Sequence, residues 1–239
     1  MPARRIVITG ASSGLGAETA RVLAEAGAHV VLAVRDTARG ARVAEQIDGS
    51  TEVRALDLAD LASVRAFATG LGGELDVLIN NAGIMAVPLG RTRDGFELQI
   101  GTNHLGHFAL TALLLPQITD RVVTVSSGIA GLGRIDLDDL NWERRRYGAW
   151  RAYAQSKLAN LLFSFELDRR LTASDSSVRA LAAHPGLTAT PLRRGPGLLS
   201  RHVLAPRNLA AGDIARGALP TSSRQRAECC IRANRRLGR

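Results

Sequence analysis

The sequence predicts one α/β domain built on a doubly wound parallel sheet, and three observations carry that expectation. Six short runs rich in apolar and β-branched residues recur at 6–9, 30–34, 52–56, 77–80, 122–126 and 178–182. Longer amphipathic stretches near 15–26, 37–47, 60–71, 94–115 and 151–171 separate them. The runs are apolar on both faces, as strands are when helices cover both sides of a sheet and right-handed crossovers join them. Ligands of such sheets bind beyond the carboxyl ends of the strands, so motifs at those ends carry the most weight.

Composition narrows the class. The chain has 239 residues, 46% hydrophobic and 22% charged, as in a folded soluble domain. The two cysteines, Cys229 and Cys230, are adjacent and build no disulfide framework, so a reducing compartment and a cytoplasmic address are expected. No run approaches about 18 apolar residues, so no membrane span is expected. The net charge of +9 is uneven: residues 222–239 hold six arginines against one glutamate. A bare arginine-rich end without interleaved aromatics reads as a solvated tail, and no nucleic-acid partner is expected. Of 31 basic residues only Lys157 is a lysine. Its retention amid arginines suggests that position 157 needs an ammonium on a flexible stem.

The first strand runs into Thr9-Gly10-Ala11-Ser12-Ser13-Gly14-Leu15-Gly16 and then a helix. Gly10 permits the tight turn, Gly14 lets backbone approach a pyrophosphate, and Gly16 allows helix to pack closely on strand. The helix N-terminus offers free N–H groups and partial positive charge to phosphates. The spacing, Gly-x3-Gly-x-Gly after a threonine, resembles that of the short-chain dehydrogenase/reductase family. That resemblance implies a Rossmann-type fold in which Thr9, Gly10, Ser12, Ser13, Gly14, Leu15 and Gly16 bind the pyrophosphate of a nicotinamide cofactor.

The second strand ends at Val34, followed by Arg35 and Asp36. A carboxylate near this point reads a ribose, whereas an arginine accommodates a 2′-phosphate. By resemblance, an arginine directly after the strand implies NADP (NADPH) rather than NAD, with Arg35 on the phosphate and Arg39 assisting. Asp36 also fits the N-cap of the next helix. After the third strand, Asp57-Leu58 matches the segment where the family's aspartate contacts the adenine amine. After the fourth, Asn80-Asn81-Ala82-Gly83 matches the segment that lines the adenine ribose, with Asn81, Ala82 and Gly83 as cofactor contacts.

Within 94–115, Asn103 stands in Gly101-Thr102-Asn103-His104-Leu105-Gly106-His107-Phe108, a locally unfavourable place for asparagine in a helix. The resemblance implies that Asn103 interrupts the helix and holds a water linking the lysine to solvent. His104 and His107 read as packing residues, and no metal is expected because no third ligand stands nearby. The fifth strand ends in Ser126-Ser127, where a hydroxyl can stabilise charge developing on a substrate oxygen. By resemblance Ser127 is the catalytic serine.

Tyr153 and Lys157 lie four apart in a helical pattern and project from one face. A phenol of ordinary pKa near 10 is a poor acid or base at neutral pH, and a nearby ammonium together with the positive nicotinamide ring is expected to lower that value. Tyr153 then moves the proton that accompanies hydride transfer, with Lys157 as its electrostatic partner. After the sixth strand, Pro185, Gly186, Leu187 and Thr190 match the family segment that binds the nicotinamide carboxamide.

The segment between Ser127 and Tyr153, containing Leu140-Asn141-Trp142-Glu143-Arg144-Arg145-Arg146-Tyr147, resembles the branch of retinol dehydrogenases, WW-domain oxidoreductases and light-dependent protochlorophyllide reductases. The resemblance covers residues 5 to about 221. It implies an NADP-dependent oxidoreductase that interconverts an alcohol and an aldehyde or ketone, with a lipophilic small-molecule substrate. The expected organisation is therefore a single Rossmann domain at 1–221, with its catalytic site built in, and an atypical basic tail at 222–239. The tail lacks a period-2 apolar run, so the family's last strand is expected to be missing and a homo-oligomer is disfavoured. An NADP-binding protein with little or no catalysis is the alternative that such a C-terminus leaves open.

Overall fold

A computed structural model describes residues 3–184. Pro185, Gly186, Leu187, Thr190, the boundary at 221, the basic tail and the missing last strand all lie outside the described residues. In chain order the elements are β1 (Arg5–Thr9), α1 (Gly14–Glu25), β2 (His29–Val34), α2 (Thr37–Ala44), β3 (Ser50–Ala55), α3 (Leu61–Leu71), β4 (Leu75–Asn80), α4 (Leu98–Ile100), α5 (Gly106–Leu114), β5 (Ile118–Val125), α6 (Ala149–Ala173) and β6 (Arg179–Ala183). All six strands are parallel and ordered β3-β2-β1-β4-β5-β6. The chain starts at mid-sheet, winds outward through β2 and β3, and returns to build the other half from β4. The winding direction therefore reverses between β1 and β4, which pair with Ile8 opposite Ile79.

Apolar residues on alternate positions serve opposite faces because side chains of a strand alternate. Ile6, Ile8, Val30, Leu32, Val77 and Ile79 pack with Ala20 and Ala24 of α1. Val7, Val31, Leu78 and Val122 pack with Val64, Phe67 and Leu71 of α3, Leu110 and Leu114 of α5, and Leu171 of α6. Leu78 is fully buried at the centre of this second layer. Leu78→Ala is expected to cost about 2–5 kcal/mol, the lost transfer energy plus a cavity. It should show as a lower urea midpoint at unchanged slope; a midpoint equal to wild type would mean that the layer is not close-packed there.

Two sequence expectations are refined. The stretch 94–115 is not one helix: α4 starts at Leu98, a five-residue π-turn spans Gly101–Leu105, and only then does α5 begin. The late start has a cause, since the Glu97 carboxylate accepts the backbone N–H of Gln99 and Ile100 and so caps α4. β5 begins at Ile118, four residues before the predicted run, because Thr119, Asp120 and Arg121 hide it from an apolar pattern.

Candidate active site

The site forms where β1 and β4 end. Thr9 Oγ1 accepts the backbone N–H of Asn81 and of Ala82, each at 2.9 Å, while Asn81 Nδ2 donates to the Thr9 carbonyl at 2.8 Å. Gly10 takes φ +69° at the turn, and a Cβ there would lie 2.9 Å from Ala82. A Cβ on Gly16 would overlap the Asn81 amide and sit 2.6 Å from the Gly10 carbonyl. A side chain at either glycine would thus force the two strand ends apart. Leu15 is buried against Val125, while Ser12, Ser13 and Gly14 remain half-buried at the mouth.

Helix α1 has no side-chain cap: Ser13 stands at its N-cap position with no capping bond, whereas Asp36 and Asp60 cap α2 and α3. The first N–H groups of α1 and its partial positive charge are thereby kept for an anion, and the bare glycine turn beside them leaves room for it. The residues present fit the diphosphate of a dinucleotide.

Further along the edge, Asp36 Oδ1 accepts the Arg39 backbone N–H at 2.9 Å, so this carboxylate is committed to capping α2. Arg35 is exposed and, among the described residues, has no ion-pair partner; Arg39 is half-buried one helical turn away. Asp57 Oδ1 accepts the Ala59 N–H at 2.9 Å, and Leu58 is buried where Gly106 of α5 packs on its carbonyl. Gly83 passes between two further site residues: a Cβ on it would lie 3.4 Å from Asn103 Oδ1 and 3.5 Å from Lys157 Nζ.

The paired serines divide their roles by strand register. Ser126 Oγ is buried and donates to the Lys157 carbonyl at 2.8 Å, tying β5 to α6. The Ser127 hydroxyl instead stands beside the phenol of Tyr153 and favours its ionised form. Lys157 is buried one turn along α6, with Nζ donating to the Val125 carbonyl at 3.0 Å. Burial brings its ammonium down to about 8. Asn103 closes the group. Its amide forms a pair of hydrogen bonds with the Ile84 backbone, at 2.8 and 2.9 Å, and also donates to Ser156 Oγ at 2.9 Å. Asn103, Ser127, Tyr153 and Lys157 thus converge from the π-turn, the end of β5 and one face of α6.

Burial raises the Tyr153 phenol above its ordinary value, with only the Ser127 hydroxyl opposing. Lys157 Nζ donates to the Val125 carbonyl and lies 5.8 Å from the centre of the Tyr153 ring.

A cluster that sequence reasoning missed braces these residues from outside. Asp139 accepts three consecutive backbone N–H groups, from Glu143, Arg144 and Arg145. Arg145 stacks 3.8 Å over Trp142 and donates to Gln155 Oε1 at 2.6 Å. The Tyr147 hydroxyl lies 3.1 Å from Glu97 Oε1 and accepts from Gln99 Nε2 at 2.9 Å. Gln155 is fully buried between Tyr153 and Lys157 in sequence, so the segment after Ser127 grips α6 at its reactive turn. Polar residues at helical core positions, Glu97, Gln99 and Gln155, were the available signal. Among the described residues no group of three or more His, Cys, Asp or Glu could hold a metal ion, and no helix is long and apolar enough to cross a membrane.

Sheet order, switch-point glycine turn and Tyr-x3-Lys helix together define a class, the doubly wound α/β proteins with a dinucleotide-type cleft. Within it, the chain belongs to the short chain dehydrogenase family, whose family model matches residues 4–196. It is 48% identical over 206 residues to human (Homo sapiens) retinol dehydrogenase 11, covering 81% of this chain and 64% of that protein. It is 45% identical over 210 residues to human retinol dehydrogenase 13, covering 83% and 63%. The chain therefore spans under two-thirds of the length of these curated relatives, which lie in the branch that the sequence resembles.

Among solved structures, an uncharacterized protein from Mycobacterium paratuberculosis is 68% identical, with a TM-score of 0.75 over 77% of this chain and 68% of that one. The 3-ketoacyl-(acyl-carrier-protein) reductase of Brucella melitensis, complexed with NADH, is 27% identical, with a TM-score of 0.63 over 79% and 78%. A short chain dehydrogenase of Burkholderia cenocepacia in complex with NADP is 25% identical, with a TM-score of 0.67 over 90% and 87%.

Proposed function

We propose that this protein is an NADP-dependent oxidoreductase interconverting an alcohol and an aldehyde or ketone. The observation that carries the reading is the meeting of Ser127 and Tyr153 beside the buried Lys157, next to the uncapped start of α1. When bound, the nicotinamide cofactor accepts or donates the hydride. The chain's own residues manage the proton and the charge. In the reducing direction Tyr153 Oη gives its proton to the carbonyl oxygen as hydride reaches the carbonyl carbon, and Ser127 Oγ donates to the same oxygen as charge gathers there. The Lys157 ammonium favours the phenolate left behind, and Asn103 holds the Ile84 loop against α6 so that the three groups keep their spacing.

Cofactor choice rests on Arg35, since Asp36 is spent on α2 and Val34 offers no carboxylate to a ribose. The NADP complex of the Burkholderia relative favours the same choice, and the NADH complex of the Brucella relative makes it a question for measurement. Similarity to retinol dehydrogenases and the exposed Leu132, Leu137 and Trp150 around the segment after Ser127 support a lipophilic substrate. A cytoplasmic address remains our reading of the cysteine usage.

The test is turnover of a panel of aldehydes and ketones with NADPH and NADH, together with their dissociation constants. Wild type should favour NADPH, and Arg35→Ala should weaken NADPH about tenfold or more with NADH little changed, as loss of one charge-assisted contact predicts. A wild-type preference for NADH would reverse the cofactor assignment, and no turnover on any carbonyl would remove the catalytic one.

A further inference from the structure

His107 lies near the start of α5, four residues beyond Asn103, and is 1% exposed. Both of its ring nitrogens are engaged. Nδ1 stands 2.9 Å from the main-chain oxygen of Asn103, and Nε2 stands 2.8 Å from Thr9 Oγ1. A carbonyl oxygen only accepts, so Nδ1 carries the ring proton. Burial, above every other influence, brings the imidazole down to about 3, so the ring holds a single proton at neutral pH and Nε2 is a bare acceptor.

The consequence falls on Thr9. Its one hydroxyl hydrogen goes to Nε2 at 2.8 Å in preference to the Ile79 carbonyl at 3.4 Å. The oxygen's lone pairs are then left for the N–H groups of Asn81 and Ala82. A run of hydrogen bonds with one polarity results, from the Asn103 carbonyl through imidazole and hydroxyl to the loop after β4. Each donor has an acceptor and each bond orients the next.

We propose that His107 is a positioning residue that couples the π-turn carrying Asn103 to the cofactor turn at Thr9 and Asn81–Ala82. The proposal rests on the functional reading above, because coupling is useful only if both ends serve one reaction. His107 sets the direction of the Thr9 hydroxyl and thereby the seating of the loop that flanks the cleft. It sets the Asn103 carbonyl and thereby the turn from which that asparagine reaches Ile84 and Ser156.

Two amide replacements separate the ends. The short amide of His107→Asn can donate from the Nδ1 position to the Asn103 carbonyl but does not reach Thr9. The longer amide of His107→Gln places an acceptor near the Nε2 position for Thr9 and gives up the Asn103 bond. His107→Asn is expected to weaken NADPH binding about tenfold with kcat kept within about threefold, and His107→Gln to do the reverse. Amide exchange at Asn81 and Ala82 should quicken in His107→Asn and stay near wild type in His107→Gln.

A readout on the unaltered protein accompanies these. The ¹⁵N resonances of His107 should show a protonated Nδ1 and a bare Nε2 at neutral pH. A ring protonated at Nε2, or two amide variants that act alike on binding, turnover and exchange, would overturn the coupling. Wild type that fails to bind NADPH or to turn over carbonyls would overturn the functional reading instead. The tautomer and the Asn81 and Ala82 exchange rates would still decide the role of His107.

Discussion

Tyr153→Phe is expected to lower kcat for NADPH-linked carbonyl reduction by about 10²–10⁴-fold, the range for losing a positioned proton donor. NADPH affinity should stay within about threefold of wild type, since the ring remains packed against Trp150 and only the hydroxyl is lost. The size of the effect follows from the environment. The buried phenol is held above its ordinary pKa, so at neutral pH it is fully protonated and poised to give a proton to a carbonyl oxygen. The aliphatic hydroxyl of Ser127 beside it is a much weaker acid than a phenol and offers no substitute donor of comparable strength. Steady-state rates and fluorescence titration of the two proteins decide the matter, and equal kcat values would remove Tyr153 from the chemistry.

Lys157→Met is expected to abolish at least about 10² of kcat while making the fold more stable. The two effects have one origin. A lysine brought down to about 8 from 10.5 binds its proton less well folded than unfolded. Its burial therefore costs stability wherever the unfolded lysine is charged, and the cost shrinks as pH rises from about 8 toward 10.5. At pH 7 removing it should return on the order of 1–3 kcal/mol, read as a higher Tm and a flatter dependence of stability on pH in that window. The carbonyl of Val125 keeps a donor in Asn160, 3.3 Å away, so the substitution leaves no orphaned acceptor. In wild type, kcat/KM for carbonyl reduction should decline above about pH 8 as the ammonium is lost. A Lys157→Met protein that is both less stable and fully active would contradict each half of this account.

How far the site was legible depended on whether its signal was local. The glycine turn was readable because only glycine tolerates φ +69° at Gly10 and the close approach at Gly16, constraints that leave a mark in any sequence. Tyr153 and Lys157 were readable because four residues make one helical turn, and because Lys157 is the single lysine among 31 basic residues. The division between Ser126 and Ser127 had no such mark. Either hydroxyl suits a strand end, and the pairing of β5 with its neighbours decided which one meets the Lys157 carbonyl and which one the Tyr153 phenol.

The place where the Lys157 charge comes to rest was hidden for a related reason. Sequence places an ammonium one turn from a phenol, but the pull of a charge depends on where its flexible stem sends it. The stem of Lys157 ends at the Val125 carbonyl, and burial raises the phenol beside it. The buried brace of Glu97, Gln99, Tyr147 and Gln155 was equally hidden. Its members lie up to about 58 residues apart and carry no shared period, and polar residues read as surface until their partners are known.

The order of elements, the parallel sheet and the residue types at the strand ends were therefore set by the sequence alone, since hydrophobic period and glycine geometry act over a few neighbouring residues. Which hydroxyl meets the phenol, where the lysine's charge comes to rest, and how His107 joins Thr9 to Asn103 were decided only on folding. Each of those depends on a contact of a few ångströms between distant segments, and burial and hydrogen-bond direction exist only once that contact is made.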